Sequence, residues 1–160
     1  MVDSAAGGPQ GGASQTQPGV WVDPYRAYNF RVEIKGLAEA HFTACSGIDV
    51  AVEPIRYRAG GMGPVVHAVP GPVDYGEVTL HYGITASREV WSWFVNAMSG
   101  QADRREVSIV LLDTNHVDEL IRWDLYGAWP SRWVGAPLDA LGREVAIATL
   151  TLVFEQIEYQ

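Results

Sequence analysis

The chain has 160 residues, enough for one domain that buries roughly 70% of the surface of its unfolded state. Its formal net charge of −8 disfavours sequence-specific nucleic-acid binding, because a phosphate-binding surface needs clustered Lys and Arg. The single Cys45 cannot form an intrachain disulfide, which suits a reducing compartment. We find no signal-peptide pattern and no run of eighteen apolar residues. We therefore expect a chain that is made in the cytoplasm, is not exported by a signal peptide and does not insert into a membrane.

The first twenty residues differ in composition from the rest of the chain. Residues 1–20 are rich in Gly, Ser, Gln and Pro, and such a segment buries too little apolar surface to offset the entropy lost on ordering. We interpret them as a flexible N-terminal arm. The folded domain is predicted to span residues 21–160.

The first strands are predicted from alternation and punctuation. Residues 28–35 alternate between apolar and polar side chains, which predicts a strand with one wet face ending at Gly36. Residues 42–52 predict a second strand, broken at Ser46-Gly47. Residues 55–72 contain four glycines and three prolines, which favours a long irregular loop, and such loops are usually functional.

One helix interrupts the strands in the second half of the chain. Residues 78–82 predict a strand, and a helix follows that Thr85 or Ser87 caps and Gly100 ends. Residues 106–112, 120–129 and 143–159 are each strand-like. About six strands with one flanking helix indicate a mainly β fold, a single-domain β-sandwich or barrel.

The last strand-like run, residues 143–159, is apolar on both faces. Alternation places Ala148, Leu150 and Leu152 on one face and Ile147, Thr149 and Thr151 on the other. We expect the first face to pack in the core of the subunit. We expect much of the second face to meet a neighbouring subunit or the helix.

Residues that could support catalysis or metal binding do not form a recognisable site. Ser46 lacks the first glycine of a G-x-S-x-G elbow, and Cys45 is interpreted as a small buried hydrophobe. Residues 113–119 resemble the start of a calcium loop, but Val117 and Asp118 occupy its fifth and sixth positions, so an acidic turn is favoured. The four histidines lack zinc-site spacing. We therefore predict a protein that is not an enzyme and has no catalytic, cofactor-binding or metal-binding residues.

Several short motifs occur in a fixed order along residues 23–159. They are Pro24-Tyr25-Arg26-Ala27-Tyr28-Asn29-Phe30, Cys45-Ser46-Gly47, Tyr57-Arg58-Ala59-Gly60-Gly61, Val69-Pro70-Gly71, Val78-Thr79-Leu80-His81-Tyr82-Gly83, Val90-Trp91-Ser92-Trp93, Arg105-Glu106-Val107 and Trp123 with Ala128-Trp129-Pro130. Together they resemble the tail-tube family, the inner-tube proteins of contractile injection systems and contractile-tailed bacteriophages. The order and spacing carry the resemblance, rather than any single motif.

The resemblance implies hexameric rings that stack into a hollow tube, with strands of six subunits forming a continuous β-barrel around the lumen. It also implies that a loop from each subunit reaches the next ring. The candidate residues of this inter-ring loop are Arg56, Arg58, Gly60, Gly61, Met62, Gly63, Val69, Pro70 and Gly71. The candidate subunit-interface residues are Trp93, Trp129, Thr149 and Thr151.

These features predict a structural subunit of the rigid inner tube of an extracellular contractile injection system. The expected partners are further copies of the chain, a contractile sheath protein, baseplate or spike proteins, a tube terminator and protein cargo in the lumen. The alternatives are a bacteriophage tail tube that conducts DNA and the tube-initiating ring at a baseplate. Two alternatives of other classes are a lipocalin-like small-molecule carrier and an esterase-like enzyme with Ser46 as nucleophile.

Overall fold

A computed structural model describes residues 24–37, 41–61 and 63–160 of the chain. The predicted arm, residues 1–20, lies outside these residues and stays a prediction. Within them the fold has nine strands and one helix. Their bounds are β1 Phe30–Ile34, β2 Phe42–Cys45, β3 Val50–Tyr57, β4 His67–Tyr75, β5 Val78–Gly83, α1 Glu89–Met98, β6 Arg105–Leu112, β7 Glu119–Val134, β8 Ile147–Val153 and β9 Gln156–Tyr159.

Seven of these strands form one antiparallel sheet in the order β1-β6-β7-β8-β5-β2, with β9 added beside β7. The mainly β prediction with one helix is confirmed, although the strands outnumber the expected six. Among the described residues the sheet is not closed, because β1 and β2 lie at its two ends and each pairs on one side. Unpaired end strands offer backbone groups to another strand.

Strand β7 belongs to both halves of the sheet. Its first half pairs with β6 and β9, and its second half pairs with β8. Gly127 separates the halves with a φ of 66°, in the left-handed region that side chains other than glycine rarely adopt. The register of the β6–β7 pair also shifts beside this glycine. A sixteen-residue strand therefore bends at one residue and carries the chain from one half of the sheet to the other.

The prediction of one continuous strand over residues 143–159 is wrong. Strand structure begins at Ile147, stops after Val153 and resumes at Gln156. The backbone N–H of Glu155, in the gap, donates to the carbonyl of Tyr126, directly before the bend of β7. Strands β8 and β9 thus pair with β7 on either side of its bend. The side-chain periodicity of residues 143–159 alone could not predict this break.

The two halves of the sheet share one hydrophobic core. Side chains of β6 and of the first half of β7 meet those of β5 and β8. The face of β8 predicted to pack inward does so, because Ala148, Leu150 and Leu152 are fully buried. In β8 the even-numbered residues face the core. After the break the odd-numbered Ile157 packs against the same core.

Helix α1 begins later than predicted. Arg88 occupies the N-cap position without a side-chain capping hydrogen bond, while Thr85 accepts a hydrogen bond from the backbone N–H of Ser87 in the preceding turn. The predicted end is confirmed: Gly100 follows the helix with a φ of 81°, and its N–H donates to the carbonyl of Ala97.

The prediction of an irregular loop over residues 55–72 is also wrong. Strands β3 and β4 form a separate two-stranded antiparallel sheet, with Ile55 opposite Val69 and Pro54 opposite Pro70. A proline lacks the N–H that a ladder needs, but an edge strand tolerates it, and both strands of a two-stranded sheet are edges. A register shift between Val52 and Pro54 accommodates this pair. The glycine-rich residues form the connection between the strands.

Candidate assembly surfaces

The β3–β4 hairpin is the most exposed regular element of the described chain. Every residue of β3 is exposed, and so are six of the nine residues of β4. Six of its large apolar side chains are 40 to 52% exposed: Val50, Val52, Ile55, Tyr57, Val69 and Val73. A two-stranded sheet with so much apolar surface in water is at best marginally stable by itself. The hairpin therefore has the composition of a surface that another chain covers.

A tight approach between the hairpin strands explains one of its glycines. A Cβ atom at Gly71 would lie 2.4 Å from the carbonyl oxygen of Glu53 and 2.9 Å from Cγ1 of Ile55. Only a residue without a side chain allows the two backbones to approach so closely. Gly61 and Gly63, in the connection, have φ values of 91° and 71°. These glycines thus shape the hairpin, as their residue type requires.

The candidate inter-ring residues all fall in this hairpin, apart from Met62, which lies outside the described residues. Arg56 is in β3 and Val69, Pro70 and Gly71 are in β4. Arg58, Gly60, Gly61 and Gly63 belong to the connection. The sequence interpretation missed the exposed apolar residues of β3, although Val50 with Val52 and Ile55 with Tyr57, two short alternating pairs on either side of Pro54, carried that signal.

Trp93 cannot serve as a subunit-interface residue in this fold. Its side chain is 1% exposed, packs in the core and donates its indole N–H to the carbonyl of Asp103 at 2.6 Å. The guanidinium of Arg105 stacks on its ring, 5.3 Å from the centroid. Two positions earlier, Trp91 is 41% exposed and contacts Trp133 edge to face. The exposed tryptophan of α1 is therefore Trp91.

The second face of β8 is partly covered by its own chain. Thr151 is 7% exposed and lies opposite Arg132 of β7 and Thr79 of β5. Thr149 is half-buried, with its hydroxyl 3.1 Å from Nδ1 of His81. Trp129, opposite Val153, is also half-buried. Neighbouring strands of the same chain thus make part of the contact that we predicted for this face. The half-buried Thr149 and Trp129 remain candidate subunit-interface residues.

The outer face of β1, β6 and β7 carries a network of ion pairs. Arg122 contacts Glu33 at 3.1 Å, Glu119 at 3.2 Å and Asp124 at 3.0 Å. Arg31 contacts Glu33 at 2.7 Å and Glu119 at 2.8 Å. All these groups are partly exposed, so the network adds little to stability at physiological salt. It marks this face as one that remains hydrated or meets polar groups.

The residues considered for catalysis have structural partners. The Ser46 hydroxyl accepts a hydrogen bond from the backbone N–H of Thr79 at 2.8 Å, at the end of β2. Burial raises the pKa of Cys45 to about 11, which disfavours the nucleophilic thiolate at neutral pH. Neither environment activates a nucleophile.

The acidic segment between β6 and β7 is a turn, as predicted. The side-chain oxygen of Asn115 accepts hydrogen bonds from the N–H groups of Val117 and Asp118, and His116 has a φ of 59°. The backbone N–H of Asp113 donates to the carbonyl of Asp118. Among the described residues, no group of three His, Cys, Asp or Glu side chains is placed to hold a metal ion.

A search for membrane-spanning helices finds none within the described chain, where α1 has ten residues. A carrier of the lipocalin type uses a closed barrel. The described strands form an open sheet, and Leu80, Leu125 and Leu150 fill the space between its halves.

Known structures share this fold. A chain from an extracellular contractile injection system, the PVC sheath-tube complex in its extended state, aligns with a TM-score of 0.77 at 23% identity, over 86% of this chain and 91% of that chain. A chain from the cap of the anti-feeding prophage, a tube-terminating cap, aligns with a TM-score of 0.79 at 24% identity, over 92% of this chain and 99% of that chain. A chain from the six-fold symmetrised baseplate of the anti-feeding prophage aligns with a TM-score of 0.74 at 22% identity, over 88% of this chain and 97% of that chain. These likenesses establish a common fold.

Sequence comparison identifies the family. No curated protein sequence matches the chain significantly. The family model described as T4-like virus tail tube protein gp19 matches residues 26–158, which covers every strand but the last residue of β9. This chain therefore belongs to the T4-like virus tail tube protein family.

Proposed function

We propose that the chain is a structural subunit of the rigid inner tube of an extracellular contractile injection system. Six copies form a ring, and rings stack inside a contractile sheath to make a conduit for protein cargo. The observation that carries this proposal is the family match across residues 26–158. The subunit has no catalytic role in this proposal, which agrees with the environments of Ser46 and Cys45.

The structural relatives support the injection system over other settings. Their chains belong to a sheath-tube complex, a tube-terminating cap and a six-fold symmetrised baseplate. By analogy, the proposed partners of this chain are a sheath protein, a baseplate protein and a tube terminator. The family also contains a bacteriophage tail tube protein, so a tail tube that conducts DNA is the second candidate.

The open sheet supports assembly on physical grounds. Strands β1 and β2 each leave one edge that no other described strand covers, and closing a sheet through neighbouring copies removes such edges. In this proposal the β3–β4 hairpin contacts the next ring, because six of its large apolar side chains remain 40 to 52% exposed in the subunit. Trp129 and Thr149 remain the candidate contacts within a ring.

Negative-stain microscopy of the purified full chain tests assembly directly. We expect rings or tubes with six-fold symmetry. A protein that stays monomeric at high concentration and physiological salt would contradict the proposal.

Two matched substitutions test the hairpin in the same experiment. Val52→Asp places a charge on the apolar surface of the hairpin, and we expect rings without long tubes. Val117→Asp, at a valine in the turn between β6 and β7 that is more exposed than Val52 (74% against 51%), serves as the control and should leave tubes intact. Tubes of normal length with Val52→Asp would remove the hairpin from the ring contact.

A further inference from the structure

The β3–β4 hairpin carries opposite charges at its two ends. From Pro54 to Pro70 the sequence contains two arginines, Arg56 and Arg58, and no acidic residue. Because the whole chain has a formal net charge of −8, the remaining residues carry −10 (−8 minus +2). Both arginines are exposed, and Arg56 is next to the last residue of β3. We call Arg56, Tyr57 and Arg58 the hairpin tip.

The opposite end of the hairpin is acidic. Asp74 of β4 lies opposite Ala51 of β3, and Asp49 and Glu77 flank the two strands where they join the rest of the fold. The backbone N–H of Gly76 donates to the carbonyl of Asp49 at 2.8 Å, which holds these two segments together. All three carboxylates are exposed. We call Asp49, Asp74 and Glu77 the hairpin base.

The tip and the base are too far apart to neutralise each other within one hairpin. Arg56 follows Ala51, the partner of Asp74, by a length of strand that corresponds to about 17 Å. This length exceeds the Debye length of about 8 Å at physiological salt. No ion pair between described residues involves the tip or the base. Another copy of this acidic chain therefore offers the tip the opposite charge that its own hairpin does not bring near.

The end of the hairpin that carries the tip also presents apolar surface. Ile55 and Tyr57 point to the same side of β3 and are 52% and 50% exposed. The ring of Tyr57 stacks on that of His67, with the ring centroids 5.5 Å apart. Burying such side chains favours association, and the charges around them select the partner and its orientation.

We propose that the tip of each hairpin binds the base of a hairpin in the next ring, so that two arginines face three carboxylates of another copy. This contact rests on the proposed function and specifies how the rings stack. Two tips repel each other, and so do two bases, so the rings add head to tail through a contact that repeats along the tube. At physiological salt, charges in direct contact still attract, while the repulsion between whole subunits is largely screened.

Charge reversal at one residue tests the tip. In Arg56→Glu we expect the protein concentration needed for tubes in negative stain to rise about tenfold, because a carboxylate then faces the acidic base. Arg143→Glu makes the same change of charge in the exposed segment before β8 and should leave that concentration unchanged. Normal assembly of Arg56→Glu would overturn the proposal.

A charge exchange separates this contact from a general loss of stability. Adding Asp74→Arg to Arg56→Glu restores the net charge and lets the altered tip attract the altered base, so tubes should return. Adding Glu144→Arg instead restores the same net charge outside the hairpin and should not bring the tubes back. Equal recovery in the two double variants would overturn this contact alone. An unsubstituted protein that stays monomeric would overturn the proposed function and the contact with it.

Discussion

At the scale of single residues, burial separates side chains that the sequence leaves equivalent. Leu150 is fully buried between the two halves of the sheet, whereas Leu141 is 94% exposed in the segment before β8. Both residues are leucines, so residue type alone does not distinguish them. Their difference arises because β8 is central in the sheet and the segment before it is not.

Leu150→Ala should lower the free energy of unfolding by about 2–5 kcal/mol, because it removes buried contacts and leaves a cavity. Leu141→Ala is the control and should change it by less than about 0.5 kcal/mol. Urea denaturation of the unassembled subunit measures both. A comparable loss in the two variants would mean that the segment before β8 packs against the core in solution.

Gly71 joins the residue scale to the element scale, because its missing side chain allows β3 and β4 to approach. Gly71→Ala should destabilise the hairpin by about 1–3 kcal/mol through overpacking against Glu53 and Ile55. Gly60→Ala in the same hairpin, where a Cβ would meet nothing within 4 Å, is the control. Faster amide hydrogen exchange in β3 and β4 of Gly71→Ala alone is the expected result. Unchanged exchange would contradict the close approach.

The elements also show which local patterns were reliable. Alternation predicted β1 and β5, and glycine predicted the end of α1, because each pattern expresses a constraint on its own residues. The glycines and prolines of residues 55–72 led to the wrong prediction of an irregular loop. Those residues break a central strand, but they are tolerated in a two-stranded hairpin, whose strands are both edges.

At the scale of the whole molecule, the net charge opposes assembly. Each subunit carries a formal charge of −8, so a ring of six carries about −48 before screening (6 × −8). Raising the salt from about 0.01 M to 0.15 M shortens the Debye length from about 30 Å to about 8 Å. We expect this change to increase the assembled fraction in sedimentation velocity. Dissociation with added salt would show that attractive ion pairs between subunits outweigh the repulsion.

The sequence by itself determined the mainly β class, the single helix, the order of most strands and the family resemblance. Side-chain periodicity and motif order are local properties, and the chain displays them without folding. Motif order also pointed to the candidate inter-ring residues. It did not show that they belong to a two-stranded hairpin.

The tertiary structure decided how the strands meet. It divided the apolar run of residues 143–159 at the bend of β7, since strand pairing with Tyr126 and Trp129 sets the break. It also buried Trp93 while leaving Trp91 exposed, because the orientation of α1 against the sheet selects one of two tryptophans that face different ways. Which surfaces remain open for other copies depends on such long-range packing, and no single segment of sequence contains that information.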